Sequence, residues 1–127
     1  MIEHEMPLYI STIAVAESCV QGNFNSIPWR NLRILPFNLL HAKTAGSLCA
    51  VAFRKKKERG ANFTQRQIVP NDTKMFAQAH SESFIHYFIS ADSEAKKVYD
   101  LINNEEQLRF NFIDIRTPFN ITFSELF

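Results

Sequence analysis

SLCAVAFRKKKERGANFTQRQIV, residues 47–69, sets two apolar runs on either side of a basic hexamer. Ser47 to Phe53 and Asn62 to Val69 carry side chains that suit strands, and Gly60 supplies the conformational freedom that a connecting loop needs. The reading is a β-hairpin with residues 54–59 at its tip. Arg54, Lys55, Lys56, Lys57 and Arg59, set against Glu58, give that tip a charge of +4.

Working outward from the hairpin, Leu8 to Ala16 is rich in β-branched and aromatic residues and predicts a strand that runs on toward Val20. Pro28 and Pro36 interrupt the next stretch, leaving room for one short helix from Pro36 to about Gly46. Residues 74–80 suit a brief helical turn. Ser83 to Ser90 is apolar on both faces and predicts a central strand. Asp92 is a good N-cap, and Ala95, Val98, Tyr99 and Ile102 recur at helical spacing after it, so an amphipathic helix is expected over about 92–104. Leu108, Phe110 and Phe112 alternate with polar residues, as do Phe119, Ile121 and Phe123, which predicts a C-terminal hairpin through Arg116-Thr117-Pro118.

The expected fold class is therefore α+β, with a mostly antiparallel sheet of five or six strands and one amphipathic helix packed on it. A small barrel of the oligonucleotide-binding type is the alternative. A chain of 127 residues that is 46% hydrophobic and 21% charged suits one domain, residues 1–127, with a core large enough to need no staple. Cys19 and Cys49 lie outside any metal-binding spacing and read as reduced, buried thiols. The apolar stretch near the start follows Glu3 and Glu5 rather than a basic lead, which argues against a signal peptide, and no run is long enough for a membrane helix. A cytoplasmic protein is expected.

The charges are uneven. Counted in blocks, residues 1–29 carry −3, 30–66 carry +8, 67–91 carry −1 and 92–127 carry −3, within a total of +1. The basic centre is a candidate surface for an anionic partner, either protein or nucleic acid. Its contact residues would be Arg54, Lys55, Lys56, Lys57 and Arg59 at the tip, with Arg66 along the strand. Trp29 with Arg30 and Arg33 adds an aromatic that stacks on bases if it is exposed. A lysine-rich turn also keeps a sheet edge soluble without binding anything, and a lone tryptophan is as well suited to a core.

No catalytic arrangement emerges. Three glycines leave no phosphate-cradling loop, and His4, His41, His80 and His86 form no ligand set, so neither metal nor cofactor is expected. Asp114 reads as the ion-pair partner of Arg116, two residues on, rather than as a general acid. The expected function is a small non-enzymatic binding or adaptor protein that works through a macromolecular interaction surface, the alternative being a binder of single-stranded DNA or RNA. The apolar end, Leu126-Phe127, makes a second copy of the chain a further candidate partner.

Overall fold

The computed structural model describes residues 6–58 and 69–115, the side chains of 56–58 excepted. Its elements run β1 (Leu8–Ser11), α1 (Thr12–Val20), β2 (Leu32–Leu35), α2 (Leu39–Glu58), α3 (Asn71–Ser81), β3 (Tyr87–Ser90), α4 (Ser93–Glu105) and β4 (Asn111–Asp114). Two short 3-10 turns, Phe24–Ser26 and Trp29–Asn31, lead into β2. This is an α+β protein in which helices predominate and the described strands form two small sheets.

Both sheets are parallel pairs. β1 lies beside β2 with Leu8 opposite Leu32 and Ser11 opposite Leu35. β3 lies beside β4 with Tyr87 opposite Asn111 and Ser90 opposite Asp114. A parallel pair cannot be closed by a tight turn, and each is joined by a crossover that contains a helix: residues 12–31 with α1 in the first, 91–110 with α4 in the second.

Local chemistry explains why β1 stops where it does. Ser11 stays extended, at φ −72° and ψ 142°, and its hydroxyl oxygen accepts the Ile13 N–H at 3.0 Å, so it caps α1. The helix closes at Gly22, whose φ of 75° is left-handed and whose N–H reaches the Cys19 carbonyl at 3.1 Å. Asp92 caps α4 in the same manner as Ser11 caps α1, accepting the Glu94 N–H at 2.9 Å. At the far end of α4, the Asn103 side chain accepts the Leu108 N–H at 2.8 Å and turns the chain toward β4.

The core lies where α2, α3 and α4 meet β3 and β4. Phe76 on α3 is fully buried, and its ring packs against Phe88 of β3 at 4.9 Å between centroids, Phe110 at 5.8 Å, Tyr99 of α4 at 6.0 Å and Phe112 of β4 at 6.3 Å. Edge-to-face and tilted pairs of this kind add to the apolar burial. The Tyr99 hydroxyl donates to the Phe110 carbonyl at 2.8 Å, so this buried side-chain oxygen is satisfied. Ala45, Leu48 and Ala52 give α2 a stripe that lies in the same cluster as Phe76, Ala77 and Ala79 of α3, and the alanines among them let the two helices approach closely.

The antiparallel sheet and the barrel expected from sequence are both overturned. Residues 47–53 belong to α2, which runs past Gly46 to Glu58, so the basic segment has no hairpin to sit on; residues 59–68 lie outside the description. α2 begins at Leu39 rather than Pro36, and the stretch read as one strand from residue 8 divides at Ser11 into a strand and a helix. α3 is a full helix of 11 residues rather than a brief turn. The final strand of the expected C-terminal hairpin falls among residues 116–127, outside the description, and the strand before it pairs in parallel with β3. Cys19 is exposed, not buried, while Cys49 is buried.

Gly46 gives a direct check on the helical assignment. It sits inside α2 with open space where a Cβ would stand and has no left-handed φ. Gly46→Ala is expected to raise stability by about 0.5–1 kcal/mol in urea unfolding, because alanine limits the unfolded chain and favours the helix.

Candidate functional site

α3 presents different side chains to the two sheets. Phe76 points into the β3–β4 core, and Gln78, two positions on, faces the other sheet. Gln78 is buried to 1% exposure, and its amide is matched atom for atom. The Ser11 hydroxyl at the end of β1 donates to Gln78 Oε1, and Gln78 Nε2 donates to the Leu35 carbonyl at the end of β2 at 3.0 Å. The Phe37 N–H donates to Thr12 Oγ1 at 3.1 Å, pinning the exit of β2 to the first turn of α1.

Between the sheets runs a groove of about 740 Å³, a size within the range of ligand sites. α3 forms its floor with Met75, Gln78 and Ala79, residues at i, i+3 and i+4 on one helical face. One wall takes in every residue from Met6 to Ser11, the other every residue from Phe84 to Ile89. Side chains alternate between the faces of a strand, so a groove that meets consecutive residues of β1, Leu8 to Ser11, and of β3, Tyr87 to Ile89, follows an edge of each, with Leu35 of β2 and Ile113 of β4 also reaching it. Among the described residues β1 pairs only with β2 and β3 only with β4. The lining is mainly apolar: Leu8, Phe84 and Ile89 are each about half exposed, at 51%, 49% and 48%. The Tyr9 and Phe84 rings, 5.2 Å apart, join the two walls.

A second hollow of about 500 Å³ adjoins the start of β1 and shares Met6, Pro7 and Leu8 with the groove. Arg30, Asn31, Leu32 and Arg33 complete it. The expected site residues therefore separate into two groups. Arg30 and Arg33 come together, both exposed, with the Arg33 guanidinium over the Tyr9 ring at 5.9 Å and its Nη1 donating to the Tyr9 hydroxyl at 3.5 Å. Trp29 stands next to them, half-buried rather than free to stack, its indole N–H donating to the Phe24 carbonyl at 3.1 Å and its ring 4.9 Å from that of Phe24.

Arg54 and Lys55 lie elsewhere, in the last turns of α2. Lys55 Nζ is 2.9 Å from Glu105 and Arg54 Nη2 is 3.7 Å from it, so this part of the basic run faces the end of α4. The Lys55 hydrogen bond and charge, with Arg54 behind them, hold the Glu105 carboxyl below its usual range. Lys56 and Lys57 continue the helix backbone, while Arg59 and Arg66 fall outside the described residues, as does Arg116, the expected partner of Asp114.

Two polar clusters were not legible as sites. His41 is fully buried at the start of α2, where its Nδ1 accepts the Asn38 N–H at 3.1 Å and Asn38 Oδ1 accepts the His41 N–H at 2.9 Å. With Nδ1 accepting, Nε2 carries the proton and donates to Glu82 at 2.7 Å. With His41 buried and Glu82 partly exposed, the pair ties the start of α2 to the end of α3. Arg109 performs a similar task, donating its side-chain N–H groups to the carbonyls of Ala79, His80, Glu82 and Ser83 and so capping α3. The described residues hold no group of three or more His, Cys, Asp or Glu able to bind a metal ion, and none of their helices is long and apolar enough to cross a membrane.

Gln78→Met keeps the volume of the side chain and removes both hydrogen bonds, leaving the Ser11 hydroxyl and the Leu35 carbonyl to face an apolar neighbour. A loss of about 1–3 kcal/mol is expected by denaturant titration. Asp72, in the first turn of α3, gives a pH test. Burial raises its pKa from 3.8, and the nearby charges of Asp92 and Glu17 add to that rise. A raised carboxyl favours folding fully below its unfolded value and loses that contribution as pH climbs through the higher folded value. Asp72→Asn should therefore gain stability over the native chain as pH is raised from 3 to 7, read as a widening gap in Tm.

No family model matches the chain, and no curated protein or solved structure matches it.

Proposed function

We propose that the protein is a non-enzymatic binding module that takes up an extended, apolar segment of a partner polypeptide in the groove between β1 and β3. The observation that carries this reading is the pair of strand edges that border a mainly apolar groove. An edge strand presents N–H and C=O groups at regular intervals and is a template for a further strand. Alternate side chains of such a guest would reach Leu8 and Ile89 on the walls and Met75 and Ala79 on the floor. The satisfied amide of Gln78 makes the floor firm beneath it.

The test uses the full chain and an eight-residue peptide of alternating valine and threonine, blocked at both ends, with binding followed by calorimetry. A Kd on the order of 10 μM, about −7 kcal/mol, is expected. N-methylation of alternate amides in the peptide removes the ladder and should weaken binding at least tenfold. Leu8→Lys and Ile89→Lys place charges on the exposed walls and should do the same, with the folded state confirmed by circular dichroism. Absence of binding by the unmodified peptide, or equal binding by the N-methylated one, overturns the reading.

A further inference from the structure

The groove does not end in neutral surface. Its β1 wall passes through Met6, Pro7 and Leu8 directly into the hollow lined by Arg30 and Arg33. Among the described residues neither arginine has a carboxylate within ion-pair distance; Arg33 is steadied by the Tyr9 ring and hydroxyl, and Arg30 is exposed. Residues 6–35 hold one carboxylate, Glu17, and its recorded partner is Asn71, at 3.0 Å. Two guanidinium groups at the mouth of an apolar channel are a suitable pair of donors for a carboxylate, which each can engage through two parallel N–H groups.

Resting on the reading of the groove given above, we infer that the partner segment carries a carboxylate at the end that lies over Leu8, bound by Arg30 and Arg33. The apolar alternation supplies the area, and the carboxylate fixes the register, since a slip of one residue along the groove would draw the charge away from both arginines. The geometry also sets the direction of a chain that ends there. A segment running antiparallel to β1 brings its C-terminus to the hollow, so a free terminal carboxylate and the side chain of a last-position glutamate are the two sources of the same chemistry.

Three blocked or unblocked versions of the valine–threonine peptide separate the outcomes: one ending in glutamate amide, one in glutamine amide, and one in glutamine with a free carboxylate. At 50 mM salt the two charged peptides should bind the full chain about tenfold more tightly than the neutral one, and the advantage should shrink at 500 mM salt. The better of the two charged peptides identifies the source. Arg30→Gln together with Arg33→Gln should abolish the difference between charged and neutral peptides, while Lys96→Gln, a charge loss on α4, should keep it. Equal binding of all three peptides overturns this inference and leaves the groove reading standing. If no peptide binds, both are lost. Tighter, arginine-dependent binding of an eight-nucleotide thymidine oligomer than of the glutamate peptide also overturns it, assigning the arginines to nucleic acid.

Discussion

The structure depends on one helix serving two sheets at once. α3 sends a phenylalanine into the core beneath β3 and β4 and, two residues later, a buried glutamine amide to the ends of β1 and β2. The two attachments differ in kind. Around Phe76 the binding force is apolar area and ring geometry, which is strong and weakly directional. At Gln78 it is a pair of hydrogen bonds shielded from water, which are directional and costly to leave unmade. The first sets how firmly the core is closed, and the second sets where β1 and β2 stand relative to it.

That division of labour produces the groove. With each parallel pair complete in itself and both fastened to α3, an edge of β1 and an edge of β3 border the gap between them. The floor is helix, so its polar backbone groups are already satisfied; the walls include β1 and β3, which among the described residues are not paired with each other. The apolar side chains along the gap are thus adjacent to regularly spaced hydrogen-bonding groups, a combination suited to a polypeptide more than to a compact small molecule. His41 with Glu82, and Arg109 over the last carbonyls of α3, keep the C-terminal end of that helix from fraying.

The sequence was most readable where a cap and a periodic stripe agreed. Asp92 followed by Ala95, Val98, Tyr99 and Ile102 marks α4, which the structure carries from Ser93 to Glu105. It was least readable where propensity and period conflicted. Thr12, Ile13 and Val15 are strand-forming residues placed in a helix because Ser11 caps it, and a serine after an extended run is a weak local signal. In α2 the positions 41, 45, 48 and 52 keep a helical period, but its core-facing residues include two alanines, and the β-branched and aromatic neighbours before a charged run resemble a hairpin arm. Strand direction was not legible at all, because a four-residue strand has the same composition in either orientation. The groove arises from strands far apart in the chain, and no local signal could have announced it; of the expected binding residues, Arg30 and Arg33 adjoin it, whereas Arg54 and Lys55 turn toward Glu105.

Each parallel pair is joined through a crossover of its own, residues 12–31 in one and 91–110 in the other. The chain entropy lost in bringing strand to strand is therefore that of two modest loops, which grows only slowly with loop length. Assembly can proceed as two local condensations, each of a strand, its crossover helix and the parallel partner strand, brought together on α3.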